Sequence, residues 1–225
     1  MKKKILKVAT ALTIMGGIGL STQGTTANAE VAVKQQQQAA SVTFKDVPQG
    51  HWSYKAIQNL ADWGIIAGYG DGRFGFGDNV TREQVAALIY RTIDGDQYFD
   101  EDHEFVSTYN DIVDDNSTMF PIEILALTEL EIFKGDGSGN FRPKDTLTRA
   151  EMAQILTETF DLQVKGTPGF KDVPAGHWAA KAINAVGSNG ISAGDGSGNF
   201  APGMKVTREQ YAQFLYKAIL NDQQQ

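Results

Sequence analysis

Two nine-residue stretches, FKDVPQGHW at 44–52 and FKDVPAGHW at 170–178, differ at one position and lie 126 residues apart. Each is followed by VTREQ, at 80–84 and 206–210, with the threonine 29 residues after the tryptophan. Between them lies a more divergent third copy, YNDIVDDNSTMFPIEILALTELEIFKGDGSGNFRPKDTLTRAE, which closes on LTRAE at 147–151. All three carry G-x-G-x-G-x-F, at 68–74, 135–141 and 194–200, and each phenylalanine precedes its threonine by seven residues. Such repetition constrains the fold strongly, because similar units stack and share their apolar faces. The units span 41–94, 106–161 and 167–220.

Within each unit the pattern is helix, glycine-rich loop, helix. Trp52, Ala56, Leu60 and Trp63 step at helical period, and Gly64 follows as a stop. The loop GYGDGRFGFGDN suits tight turns with positive φ rather than regular structure. A second helix starts at Arg82 with Val85, Leu88, Ile89 and Ile93 on one face, and unit three repeats it with Tyr211, Phe214, Leu215 and Ala218. One pair of about 55 residues buries too little surface to be stable alone. Three pairs share a core most simply around a pseudo-threefold axis. The expected fold is therefore mainly α, with three helix-loop-helix repeats in a pseudo-threefold bundle.

The remaining segments frame these units. MKKKILK, a short apolar run and Ala27-Asn28-Ala29 read as a signal peptide at 1–29. An uncleaved anchor is the alternative, but the apolar run is short and Gly-rich for a membrane span. A Gln-rich linker at 30–40, an acidic insert at 95–105 that reads as a solvated loop, and a tail at 221–225 complete the chain. Cysteine is absent, so an exported protein of this kind relies on packed cores instead of disulfides. Removing the four signal lysines takes the net charge from −7 to −11. That balance, without a basic stripe, excludes nucleic acid as a partner, so positive charge for any anionic ligand has to be local.

The TR motif supplies such charge. Thr81, Thr148 and Thr207 sit at N-cap positions, with Gln84, Glu151 and Gln210 three residues on, which makes three capping boxes. Val80 with Val85, Leu147 with Met152, and Val206 with Tyr211 occupy hydrophobic-staple positions. Arg82, Arg149 and Arg208 then fall at N1, where the helix dipole disfavours a cation. Either duplication carried them there passively, or free amides and a guanidinium together form an anion site.

FKDVPxGHW, the glycine-rich loop and (V/L)TR(A/E)(E/Q) resemble the S-layer homology domain in a triple arrangement covering about 41–220. The resemblance implies a three-pronged pseudo-trimer around a central three-helix bundle. It also implies noncovalent attachment of a secreted protein to pyruvylated secondary polysaccharide of a Gram-positive wall, the ketal carboxylate being the awaited anion. No cofactor is implied, nor any membrane association after signal removal; what is anchored stays open between a truncated form of a longer protein, a bare anchor, and an anchor with a noncovalently held passenger protein. Carried over by position, the polysaccharide-binding residues are Arg82, Arg149, Arg208, Asp46, Asp172, Trp52, Trp178, Gly70, Gly137 and Gly196. An aromatic face, a hydroxyl acceptor and carboxylate donors suit a charged sugar. Trp52 and Trp178 read equally as core residues, and Asp46 and Asp172 as caps of the turn before the first helix. The middle unit departs from the pattern, with Asp111 at the aspartate position, two extra residues, and Met119 or Phe120 near the tryptophan position.

Two other classes are weaker. A glycan hydrolase needs paired carboxylates across a cleft, and none recurs here besides the repeated aspartates; His51, His103 and His177 lack catalytic spacing. A calcium-dependent surface protein is suggested by DGSGN at 136–140 and 195–199, but the twelfth loop positions are Leu147 and Val206 instead of glutamate. The chain is therefore expected to be neither an enzyme nor a metal protein.

Overall fold

The computed structural model describes residues 42–113, 116–166 and 168–224. The expected signal peptide and linker lie outside these residues. Six α-helices follow in order: α1 Tyr54–Asp62, α2 Arg82–Thr92, α3 Pro121–Glu129, α4 Arg149–Thr159, α5 Ala180–Ser188 and α6 Arg208–Asp222. Each repeat contributes a short helix and a longer one, as the apolar periodicity predicts. The described residues hold no strand, only isolated antiparallel bridges.

Trp52 is not part of the first stripe. Helix α1 starts two residues later, and its buried face is Ala56, Ile57, Leu60 and Ala61. The second helices are buried more widely than one face: α2 also buries Ala86, Ala87 and Thr92. This places α2, α4 and α6 at the centre of a three-pronged bundle. Their capping boxes are present in all three repeats. The box is tightest at Thr148, whose N–H donates to Glu151 at 2.8 Å. It is loosest at Thr207, where the Gln210 half spans 3.3 Å and the buried hydroxyl lacks a close partner.

The prongs are built between repeats. α2 packs on α3, α4 on α5, and α6 returns to α1, so the last repeat closes on the first. The axis carries the same cyclic order in the backbone. Val80 N–H donates to Val206 at 3.0 Å, Val206 N–H to Leu147 at 2.9 Å, and Leu147 N–H to Val80 at 3.0 Å. These three residues are also the staple positions, all fully buried, so the apolar contact and the hydrogen-bonded ring coincide.

The glycine-rich loops close on themselves and then on the core. Tyr69, Asp136 and Asp195 donate their N–H groups to Arg73, Asn140 and Asn199 at 2.8, 2.9 and 2.9 Å. A Cβ on Gly68, Gly135 or Gly194 would lie 2.2, 2.7 or 2.3 Å from the carbonyl oxygens of Arg73, Asn140 or Asn199, so only glycine fits this approach. Phe74, Phe141 and Phe200 plunge from the loop ends into the core and meet Phe44, Tyr109 and Phe170 at ring distances of 5.5, 5.5 and 5.3 Å.

The repeated aspartates hold these loops. Asp46 accepts N–H groups from Phe74, Gly75 and Phe76 at 2.7, 2.8 and 3.0 Å. Asp111 accepts from Phe141 and Arg142, and Asp172 from Phe200 and Ala201. They do not cap the turn before the first helix; they buckle the loop after it, nearly thirty residues on. Burial alone raises the Asp46 pKa, but the N–H groups of Phe76, Phe74 and Gly75 outweigh it and hold it below 3.8. A depressed folded pKa contributes stability above the unfolded value and loses it as pH falls through the folded one. Asp46→Asn should therefore melt earlier than the parent at neutral pH, with the difference shrinking as pH falls below 3.8, as read from melting curves across that range.

The acidic insert is more ordered than a solvated loop. A 3₁₀ turn at Gly95–Tyr98 leads into an aromatic cluster in which His103 meets Phe99 and Phe105 at 4.8 and 4.6 Å. Its Nε2 lies 3.0 Å from Glu129 of α3, which ties the connection back to the second prong. Among the described residues no helix is long and apolar enough to cross a membrane.

Candidate functional site

The N1 arginines do not wait at the ends of their own helices. Each is buried, at 4, 5 and 9% exposure for Arg82, Arg149 and Arg208, and each reaches into the next repeat. Arg82 Nε donates to Phe141 O at 2.8 Å, Arg149 Nε to Phe200 O at 2.7 Å, and Arg208 Nε to Phe74 O at 2.8 Å. A second donor binds Lys134 O, Ser192 Oγ and Ala67 O in turn. The guanidinium stacks on the loop phenylalanine, 4.7 Å from Phe141, 4.7 Å from Phe200 and 4.9 Å from Phe74. Burial lowers the pKa of all three from the ordinary arginine value. These are clasps between repeats. They engage carbonyl oxygens, and that offsets the dipole penalty at N1.

The helix-start amides are likewise engaged. The N–H groups of Arg82, Arg149 and Arg208 donate to Asp145, Met204 and Asp78 carbonyls at 2.9, 2.9 and 2.8 Å. The N1 amides are thus not free, because loop carbonyls occupy them.

Arg82 also lines a groove. A cavity of about 510 Å³ lies between repeats, lined among others by Arg82, Gly135, Arg142, Glu151, Gln154 and Trp178. A smaller one of about 320 Å³ adjoins it across Phe133 and Lys134. The larger cavity unites three repeats: an arginine from the first, loop and α4 from the second, and a tryptophan from the third. Trp52 and Trp178 are 57 and 64% exposed, so the core alternative for them does not hold. Gly70, Gly137 and Gly196 all have φ near +80° and open space at the Cβ side, at the outer turn of each loop. Asp46 and Asp172 lie beneath their loops with their oxygens committed to backbone.

Three participants were not singled out by sequence reasoning. Glu151 bridges two guanidinium groups, 3.3 Å from Arg82 and 3.4 Å from Arg142. Glu83, buried, accepts from Thr118 at 2.7 Å and pairs with Lys144 at 2.8 Å, tying α2 to the second repeat. Glu209 does the same toward the first, accepting from Gly77 at 3.0 Å. The Glu/Gln alternation at N3 was visible in the sequence, but was read only as capping. Among the described residues no three His, Cys, Asp or Glu side chains cluster to hold a metal. Asp136 and Asp195, the calcium-like positions, accept N–H groups within their own loops.

The family pattern decides what this architecture is. The S-layer homology domain matches three times, at 43–86, 108–153 and 169–212. The chain belongs to the S-layer homology domain family. The S-layer protein of Bacillus licheniformis is 33% identical over 180 residues, covering 79% of this chain and 20% of that protein. The S-layer protein sap of Bacillus anthracis is 32% identical over 183 residues, covering 80% and 21%. A cell wall amidase of Bacillus anthracis, uncharacterised by name, is 30% identical over 188 residues, which is 32% of its length. The chain thus spans about a fifth of the S-layer proteins it matches. Membership of this S-layer homology family places the chain at the cell surface, in association with the wall.

Proposed function

We propose that this S-layer homology chain is a noncovalent wall anchor that binds pyruvylated secondary cell-wall polysaccharide in the grooves between its repeats. The observation that carries this is the arrangement of groove and cation. The buried Arg82 and the part-exposed Arg142 line one cavity together with an exposed tryptophan, Trp178. A guanidinium meets a carboxylate in bidentate fashion, and an exposed indole face suits a sugar ring. Gly70, Gly137 and Gly196 lie at the outer turns of the loops, where a backbone amide is accessible to a glycan. Asp46 and Asp172 serve the site indirectly, by fixing those loops.

No catalytic role is proposed. The repeated aspartates are held by backbone N–H groups, and Glu151 by two arginines. The likeness to a wall amidase spans a third of that protein, as expected of a shared attachment module. Whatever is attached, as a covalent neighbour or a noncovalent passenger, would be carried by this module.

The test is cosedimentation with purified walls. The protein should pellet with walls bearing the pyruvylated polymer and stay in solution with walls stripped of it or lacking the ketal. Equal pelleting with stripped peptidoglycan would refute the proposal.

A further inference from the structure

The smaller cavity, of about 320 Å³, is built within the second repeat alone, and its wall differs in chemistry from the matching positions of the other two repeats. Tyr109, Thr128, Glu131, Lys134 and Glu158 are part of that wall. Tyr109 stands where the other repeats have Phe44 and Phe170. Thr128, the eighth residue of α3, matches Ala61 of α1 and Gly187 of α5. Glu131 matches Gly64 and Gly190, and Lys134, directly before the loop glycine, matches Ala67 and Ala193. Glu158, the tenth residue of α4, matches Arg91 of α2 and Lys217 of α6. These wall positions change together, from apolar or basic residues to two hydroxyls, two carboxylates and one ammonium.

Glu131 occupies a turn that glycine fills more comfortably. Its φ is +61°, and Gly64 and Gly190 hold the same place at +73° and +71°. A side chain there adds backbone strain that the turn itself does not require. The hydroxyls are ordered as well. Thr128 Oγ1 donates to Ile124 O at 2.7 Å and lies 3.0 Å from Tyr109 Oη. With its one proton committed, Thr128 accepts from Tyr109, and the lone pairs of Oη remain for a donor. The Tyr109 ring packs under Gly135, where an added Cβ would come within 2.7 Å of it. The backbone of Lys134 is fixed from behind, since its carbonyl accepts from Arg82 Nη2 at 2.9 Å. Among the described residues neither Glu131 nor Lys134 is engaged in an ion pair.

We propose that this cavity binds the α-amino-acid centre of a small ligand, a primary ammonium beside a carboxylate. An ammonium offers three N–H donors, and Glu131, Glu158 and Tyr109 Oη line the cavity as acceptors. Glu158 also accepts from Gln154 at 2.8 Å, which steadies its side chain and leaves further lone pairs on the carboxylate. Lys134 supplies the charge that meets the ligand carboxylate. Two acids and one base in one wall select a zwitterion over a plain anion. The volume lies at the lower end of the range for small-molecule sites, which suits a ligand of amino-acid size. The assignment stands whether or not the adjoining groove takes a glycan.

The experiment titrates isotope-labelled protein with alanine and with γ-glutamylalanine, and follows backbone amide shifts around Gly135. Binding of alanine marks a free amino acid as the source, and binding of γ-glutamylalanine alone marks an amino-acid tip on a longer chain. N-acetylalanine lacks the ammonium and alaninamide lacks the carboxylate, so each should bind about tenfold more weakly than alanine. Glu131→Gly restores the residue of the other repeats. Its melting midpoint should hold or rise while affinity falls by about tenfold. Tyr109→Phe also copies the other repeats, and should weaken binding by about threefold through loss of one acceptor. Glu123→Gln, which removes an α3 acid outside the cavity wall, should change affinity by less than about twofold. Absence of shifts with both amino-acid probes, equal affinity for alanine and N-acetylalanine, or undiminished binding by Glu131→Gly would overturn the assignment, and each would leave the wall-anchoring proposal standing.

Discussion

Arg208→Ala should destabilise the fold by about 3 kcal/mol, because it deletes two charge-assisted hydrogen bonds to loop carbonyls, one of them fully buried. Arg208 binds Phe74 O at 2.8 Å and Ala67 O at 3.1 Å. For a domain of this size the melting temperature should fall by roughly 6–12 °C. From the sequence alone the opposite is expected, since a cation at N1 opposes the helix dipole and its removal should be neutral or slightly favourable. The structure reverses the sign because the guanidinium acts across a repeat boundary, away from its own helix start. Arg208→Lys should recover part of the loss, as an ammonium does not reproduce the planar fork that meets two carbonyls. Thermal melting of the three proteins decides it: an unchanged midpoint for Arg208→Ala would show that the clasp contributes nothing.

Deleting the third repeat should abolish cooperative unfolding instead of removing a third of the stability. In an open repeat array each unit leans only on its neighbours, so a terminal deletion leaves the rest standing. Here α1 depends on α6 and α4 on α5, so loss of the third repeat strips partners from both remaining repeats. The backbone ring of Val80, Leu147 and Val206 is opened at the same stroke. A fragment of residues 42–166 should show weak helical circular dichroism and no sigmoidal melt. A sharp transition with full helicity would mean the repeats are autonomous.

Helix existence and order, and the starts of α2, α4 and α6, were legible in the sequence, because a capping box is a local device whose chemistry is complete within five residues. Helix pairing was not. Nothing in VTREQ says that α2 packs on the following repeat's first helix, since the apolar face of a helix does not name its partner. The tryptophans show the same limit. Trp52 fits a helical stripe by spacing, yet α1 begins two residues later and the ring stands in solvent. The site was half legible: arginine and tryptophan were named, and the structure brings Arg82 and Trp178 to one cavity. Glu151 was hidden because its role depends on an arginine 69 residues away.

The return of α6 onto α1 also fixes how the molecule bears load. Chain entering before α1 and chain leaving after α6 emerge from one prong. Tension drawn between those two sides is carried by that prong's own packing. The α4–α5 prong and the cavity against Trp178 lie off this line of force.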